Sequence, residues 1–567
     1  MARQGAPRRG PGPTELVFMA LGGIGEIGMN CYLYGLGPPD ARQWLMIDLG
    51  ITFPEGENDP GIDVILPDLR FIEEERGSLA GLVLTHAHED HLGAVIELWP
   101  RLRVPIYATP FTAAMLTSKL AEHGRGLQLP INEVPRNGRF DVGPFGLELI
   151  EVAHSIPESN AVAIHTELGV VLHTGDWKLE SHPVLGPPTD PTRFMQLGDA
   201  GVLAMVCDST NALREGRSPS ELDVAKSLAG IIKRAKRRVA VTIFASNVAR
   251  IKAVADAARA AGRHLVVAGR AMHRIIGVAM ETGYLPAGFK YHDQQHFSYL
   301  EPHEVVLLCT GSQGEARAAL ARIAEDQHPD VELGDGDLVI FSSRTIPGNE
   351  RTVGRMQNRL VDLGCEIVTD TDALVHVTGH PRREEIKEMY GWVKPRIAIP
   401  MHGEARHLAA HAELARAAGV KEVLDVRNGD MVRLAPGNAE VIDEAPVGRL
   451  FRDGSLLVPS EDGPVRERRA LAFAGVVIVA LLRSGRGEIG ADVEIALDGV
   501  PAADAEGRPM TEIVRDAVEG TIASIPRDRR RDGELVREAV RRAVRSAVED
   551  AWGKRPIAKV LLVQAGR

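Results

Sequence analysis

Short apolar runs separated by Gly and Asp turns fill the first part of the chain. Leu16–Leu21, Trp44–Ile47, Gly81–Thr85, Leu147–Val152, Ala161–Thr166 and Gly169–Thr174 have the length and turn boundaries of β-strands. Several end in polar, metal-ligating residue types, the usual way a sheet carries a site on its loops. The rhythm changes after Asp208. Glu221–Arg238 predicts an amphipathic helix with Ser220 as its N-cap. Strands at Val239–Phe244, His264–Ala268, Val305–Cys309 and Leu338–Ser342 follow, with a helix over Val248–Ala261. This is the βαβ alternation of a parallel α/β domain. From Ala373 onward metal-type residues return, at His376, His380 and His402, so the α/β block reads as an insertion into the first domain. Arg452–Arg469 is polar and holds two prolines, as a linker does. Beyond it two strands, a helix near Thr511–Ser524, a helix over Glu534–Ala551 with a 3.6-residue apolar face, and a strand over Ile557–Val563 predict a small α+β domain.

The expected boundaries are a basic arm, 1–13; a first domain in two parts, 14–208 and 369–450; an inserted domain, 209–368; a linker, 451–466; and a C-terminal domain, 467–567. A chain of 567 residues with 44% hydrophobic and 25% charged content fits several soluble domains. The formal net charge of −11 excludes binding nucleic acid by overall positive charge, though not through a local basic channel. Four scattered cysteines, none in a CxxC pair, exclude a cysteine zinc site and fit a reducing cytoplasm. The apolar run Ala470–Leu482 is shorter than the ~20 residues of a membrane span and reads as a buried strand, so no membrane partner is expected.

The densest chemistry lies in His86-Ala-His88-Glu-Asp90-His91, directly after a strand. Three imidazoles and a carboxylate crowded together repel unless something binds them. They are too many for one tetrahedral ion and suit two neighbouring ones, His86 and His88 on the first, Asp90 and His91 on the second. Their N/O donor character favours zinc or manganese. Asp48, His154, Asp176 and His402 stand at other strand ends and supply the missing ligand types; each alone would read as a turn cap.

Asp48, the His86–His91 motif, His154 and Asp176 in this order resemble the metallo-β-lactamase superfamily. The resemblance implies that His86, His88 and His154 hold one ion, that Asp90, His91 and a late histidine hold the other, and that Asp176 bridges them. Cys-Asp208-Ser-Thr-Asn, His376-Val377-Thr378-Gly379-His380 and Pro-Met-His402-Gly-Glu resemble the β-CASP motifs of nucleases, and His402 resembles the RNA-acting members. Leu-Gly-Gly-Ile-Gly-Glu26-Ile-Gly-Met-Asn30, Phe-Ala-Ser246-Asn247, Gly311-Ser312-Gln313-Gly314-Glu315 and Ser343-Arg344-Thr-Ile-Pro-Gly348-Asn349-Glu350 are similar to segments of the ribonuclease J family.

The implied fold is an α/β, metallo-β-lactamase αββα sandwich with an inserted parallel β-CASP domain and a small C-terminal domain. The implied activity is a two-metal ribonuclease, a 5′-to-3′ exonuclease on 5′-monophosphorylated single-stranded RNA with endonuclease activity, acting in RNA maturation and mRNA decay. Asp48 is expected to orient a water, Asp208 to donate a proton and His380 to accept one. The His376–His380 loop, with Thr378, is expected to grip a phosphate, helped by Ser246, Asn247 and the Ser312 turn. Phe53 reads equally as a stacking platform for a base or a core residue, and Arg344 as a backbone contact or a partner of Glu350. A homodimer and RNA-decay complex partners are implied as well. Rival readings are a small-substrate hydrolase, a DNA nuclease, and a non-catalytic RNA-binding subunit.

Overall fold

The computed structural model describes residues 13–54, 58–124, 126–346, 348–461, 463–484 and 489–564. Save for its last residue, the expected basic arm lies outside them.

Two sheets face each other in the first domain. One has eight strands, including Glu15–Gly22, Cys31–Gly37, Gln43–Ile47 and Leu79–Val83; the other has seven, including Phe145–Val152, Ser159–Thr166, Gly169–His173, Ala204–Asp208 and Ile397–Met401. The two-residue side-chain period decides which residues meet between them. Phe18, Tyr32, Tyr34 and Leu45 from the first sheet pack with Leu147, Leu149, Val162, Ile164 and Val206 from the second. The alternate positions Ile150, Ala161, Ala163, Leu172, Met205 and Cys207 turn outward under the helices Pro191–Ala200 and Arg383–Val393. Burial on both faces explains why these strands read as continuous apolar runs.

The inserted block is a six-stranded sheet ordered His292–Asp293, His264–Ala268, Val305–Cys309, Val239–Thr242, Leu338–Phe341, Glu366–Val368, parallel throughout. Ser220 caps its first helix, Glu221–Arg234, by accepting from the Leu222 N–H. The loops after its strands carry Ser246, Ser312 and Arg344, as expected of functional loops at the carboxyl ends of a parallel sheet. The chain then re-enters the seven-stranded sheet at Ile397–Met401, parallel to Ala204–Asp208 with Asp208 opposite Met401. This is the two-sheet sandwich with an inserted parallel α/β domain that the sequence pattern predicts.

By contact density the chain divides in two, and residues 54–63 with 451–567 form the second unit. Its sheet has Val476–Arg483 in the middle, antiparallel to Ile489–Asp498 and parallel to Ile557–Gln564. Val536, Val540, Val544 and Val548 of the helix Gly533–Trp552 are fully buried against Val477, Val479 and Leu481. The apolar face of that helix is therefore spent inside its own unit.

Two expectations need correction here. The segment 451–466 is not a bare linker, because it contains the strand Leu456–Pro459 and the start of the helix Gly463–Ala474. Arg468 and Arg469 of that helix hold Asp453 and Asp59, so the charges that suggested exposed chain are ion-paired. The apolar run Ala470–Leu482 is helix, then strand. It breaks at Gly475 (φ 65°), where a Cβ would lie 2.5 Å from the Asp498 and Gly499 carbonyl oxygens. Cys31, Cys207, Cys309 and Cys365 are buried free thiols. Among the described residues no helix is long and apolar enough to cross a membrane.

Candidate active site

Strand pairing assembles the site. Gly169–His173, Ala204–Asp208 and Ile397–Met401 run parallel side by side, so their carboxyl ends deliver Asp176, Asp208 and His402 to one place. In the other sheet Ile47 pairs with Val83, which sets Asp48 beside the turn bearing His86, His88, Asp90 and His91. His154 follows the strand Phe145–Val152. Asp48 (φ 61°) and His402 (φ 54°) have left-handed backbones, a strained state for non-glycine residues that clusters at functional sites.

The ligand-type atoms of His86, His88, His154 and Asp176 lie within 4.8 Å of one another, as do those of Asp90, His91, Asp176 and His402. Both sets share Asp176. His88 Nδ1 is 3.1 Å from both His86 Nε2 and His154 Nε2, close to the roughly 3.3 Å that separates nitrogens on one tetrahedral ion with bonds of about 2.0–2.1 Å. Asp176 Oδ2 lies 3.2 Å from His91 Nε2 and 3.6 Å from His154 Nε2, and Asp176 Oδ1 is buried without a hydrogen-bond partner among the described residues. His402 Nε2 is 3.1 Å from Asp90 Oδ2. Convergent imidazole nitrogens and an orphaned buried carboxylate oxygen fit divalent ions.

The electrostatics divide the two sets. Burial pushes the imidazoles of His86, His88 and His154 down, His88 to about 4, and neighbouring imidazoles add to the effect. They are neutral and ready to ligate. Burial opposes a charge on His91 and His402 too, but Asp176 and its companion carboxylates outweigh it, raising His91 well above its usual range and His402 to about 10. Burial also opposes the charge of Asp176, yet His402, His91 and His380 hold it well below the usual carboxylate range.

Behind these groups stands a supporting layer. Asp48 is fully buried; it accepts from the Thr85 N–H (2.8 Å) and hydroxyl (2.8 Å) and lies 2.7 Å from His91 Nδ1. That nitrogen is on the far side of the ring from Asp176. The expectation that Asp48 orients a water is therefore corrected: it is spent on holding His91, as outer carboxylates hold metal-binding histidines. Asn30 and Thr210 were not singled out as site residues, and Gly379 was expected only as part of the phosphate-gripping loop. Asn30 is fully buried, donates to the Asp90 carbonyl (3.1 Å) and lies 3.0 Å from His91 Nε2. The Thr210 hydroxyl is 2.7 Å from His402 Nδ1. The Gly379 carbonyl is 2.7 Å from His154 Nδ1, and a Cβ on Gly379 would meet that nitrogen at 2.5 Å. Two glycine-rich motifs signalled Asn30 and Gly379; only the fold shows what they touch.

Asp208 Oδ2 and His380 Nδ1 are 2.8 Å apart. Burial opposes both charges, but each partner holds the other ionised, His380 raised and Asp208 lowered. Asp208 is fully buried and Thr210 N–H donates to its other oxygen (2.8 Å), whereas the His380 side chain is 19% exposed. Of the two, His380 is the partner that a substrate could reach, whereas Asp208 is closed off behind it.

The expected RNA-facing residues are divided in their fates. Thr378 accepts from Asn211 Nδ2 (3.1 Å) and the His380 N–H (3.3 Å), and Val377 is buried. His376 Nδ1 is buried without a partner. Ser246 is half-buried, but Asn247 is a helix cap: its Oδ1 accepts from the Arg250 N–H and its Nδ2 faces Glu221 at 3.4 Å. One of the two Nδ2 protons is thus engaged, and the side chain is buried. Ser312 is buried, with Gln313 Nε2 3.5 Å from its hydroxyl. Phe53 is 62% exposed, so it is no core residue. Arg344 is exposed, while Glu350 caps the Gly348 N–H (2.8 Å).

Known proteins resemble this chain along most of its length. Residues 24–226 match the metallo-β-lactamase superfamily, 236–360 the ribonuclease J β-CASP domain, 365–424 the Zn-dependent metallo-hydrolase RNA specificity domain, and 463–565 the ribonuclease J C-terminal domain. Ribonuclease J of Sinorhizobium meliloti is 51% identical over 550 residues, 97% of each chain. Ribonuclease J of Mycolicibacterium smegmatis is 39% identical over 541 residues, 95% of this chain and 96% of the relative. A solved structure of a protein of unknown function from Enterococcus faecalis shares the fold at 15% identity (TM-score 0.50), covering 74% of this chain and all of that one.

Asp48→Ala should weaken the binding of one ion per chain 10- to 100-fold, the usual cost of losing such a support, and leave the other unchanged. Competition with a chromogenic chelator measures this; unchanged affinity at every ion would show that Asp48 does not support His91.

Proposed function

Because the chain belongs to the ribonuclease J family of metal-dependent ribonucleases, we propose that it degrades 5′-monophosphorylated single-stranded RNA from the 5′ end and also cuts internally. It does so with two zinc or manganese ions, in cytoplasmic RNA maturation and mRNA decay, alongside partners of an RNA-decay complex. The observation that carries this reading is the pair of ligand sets sharing Asp176 beneath the His376–His380 loop. Ions held there supply charge neutralisation at the phosphate and acidify water.

The chain's own residues then have distinct tasks. His86, His88 and His154 form one trio and Asp90, His91 and His402 the other, with Asp176 between them. His380 presents its proton towards the leaving oxygen, and Asp208 keeps that imidazole charged and oriented. The backbone of the loop from His376 to His380, Ser246 and Arg344 contact phosphates, and exposed Phe53 stacks on a base. The RNA-specificity match over residues 365–424 favours RNA over DNA or a small ester as substrate.

The homodimer is supported by the uncovered face of the C-terminal sheet. Leu482, Leu561 and Val563 are 44%, 51% and 49% exposed there, and an uncovered apolar patch on a soluble protein marks an interface. Light scattering of the full chain should give the mass of two chains, and Leu561→Asp should halve it. A wild-type mass of one chain would contradict the dimer.

A 5′-labelled, 5′-monophosphorylated RNA digested with Mn²⁺ or Zn²⁺ should release labelled mononucleotide. His86→Ala should lower the rate at least about 100-fold, the scale of losing a group that stabilises transition-state charge. Equal rates would place the chemistry elsewhere, and internal cleavage alone would leave only the endonuclease.

A further inference from the structure

Two fully buried charged residues that the chemistry above does not use hold the His376–His380 loop at its two ends. Glu385 is 0% exposed and lies in the first turn of the helix Arg383–Val393. Its Oε2 accepts from the backbone N–H of Arg382 (2.9 Å) and Ser218 (2.8 Å), and its Oε1 from the N–H of Leu179 (2.9 Å). Arg382 is two residues past the loop, and Leu179 is three residues past Asp176.

Arg250 is also 0% exposed. Its Nη1 donates to the Val375 carbonyl (2.8 Å), the residue just before the loop, to the Ser342 carbonyl (3.2 Å) and to the Ser342 hydroxyl, which itself donates to Val375 (2.6 Å). Its Nη2 pairs with Glu221 Oε2 at 2.8 Å. The Glu221 N–H donates to Glu180 Oε2 (2.9 Å), which Lys178 Nζ meets at 3.1 Å. A buried chain of ion pairs and hydrogen bonds, from Arg250 through Glu221 and Glu180, thus runs from the front of the loop to Lys178, two residues past Asp176.

Both ends of the loop are therefore tied to the segment that leaves the shared ligand. The middle of the loop touches a second ligand type, through the Gly379 carbonyl on His154 Nδ1. We propose that Arg250 and Glu385 are positioning residues, which fix the His376–His380 loop against residues 178–180 and thereby set both His380 and the ring of His154. The inference rests on the nuclease reading for its kinetic consequence, but the clamp itself is a statement about ligand geometry.

A burial of this kind is exacting. Removing one partner of a buried ion pair leaves the other uncompensated, whereas replacing both by neutral residues of similar volume is tolerated. An amide at position 385 keeps the shape but turns an NH₂ towards a backbone N–H donor. The informative variants are thus the charge-neutral double Arg250→Met/Glu221→Gln, and Glu385→Gln. Arg250→Lys serves as the conservative variant; it keeps the charge beside Glu221 but cannot span Ser342 and Val375 as well.

The test uses full-length protein with two readouts: steady-state RNA cleavage, and the visible spectrum of the Co²⁺-loaded chain, which reports the ligand field at His154. The double variant and Glu385→Gln should melt near the wild-type temperature and bind as much Co²⁺, with an altered spectrum. Their kcat should fall about 100-fold, the scale expected for a displacement of about 1 Å, while KM changes less than threefold, and Arg250→Lys should recover part of the loss. A double variant that melts, absorbs and turns over like wild type would overturn the clamp. If wild type itself cleaves no RNA, the nuclease reading fails, and the spectrum alone decides: altered in the variants, the clamp stands; unaltered, it falls.

Discussion

The carboxylate of Asp176 lies between 3.2 and 3.8 Å from nitrogens of five imidazoles, those of His86, His91, His154, His380 and His402. It is 1% exposed. Gathering so many polar groups away from water costs several kcal/mol per uncompensated charge. That cost is met by an arrangement in which the groups have an opposite charge or a donor at hand, and the lone pairs left over, those of Asp176 Oδ1 among them, are ones that divalent ions would satisfy. The rest of the molecule can be understood as what is needed to hold this arrangement in place.

The sandwich supplies the precision. Three neighbouring parallel strands end at Asp176, Asp208 and His402, so their separation is set by the strand spacing of about 4.8 Å. The supporting layer then fixes ring orientation: Asp48 behind His91, the Thr210 hydroxyl behind His402, the Gly379 carbonyl behind His154. The inserted domain contributes a wall of loops at the ends of its parallel strands, and the His376–His380 segment joins that wall to the sandwich. The proposed proton donor and the proposed phosphate grip thus share a loop that belongs to the second half of the chain.

Much of this was legible in the sequence because the dense motif is local. His86, His88, Asp90 and His91 lie within one turn, and their crowding alone argues for ions. Asp176 and His402 stand out from the residues alone just as metal-type side chains at strand ends, and it is the family resemblance that gives them a role. Their meeting depends on the pairing of Ala204–Asp208 with Ile397–Met401, which spans the whole insertion. Position relative to a helix start carries a second meaning: Asn247 has the donor chemistry of a phosphate contact and also caps the helix it precedes. Roles within a pair were illegible. Asp208 and His380 could be named, yet which of them a substrate could reach follows from burial and exposure that no spacing encodes. At the other end, the charges of residues 452–469 suggested exposed linker because their partners, such as Asp59, are far away in the sequence.

The central claim is that Asp176 is shared by two ions. Anomalous diffraction from crystals of the full chain grown with Mn²⁺ or Zn²⁺, at the absorption edge of the metal, tests it most directly. The account predicts two peaks about 3.5–4 Å apart, one among His86, His88 and His154, the other among Asp90, His91 and His402, with Asp176 between them. A single peak, or two that leave Asp176 uncoordinated, would contradict it.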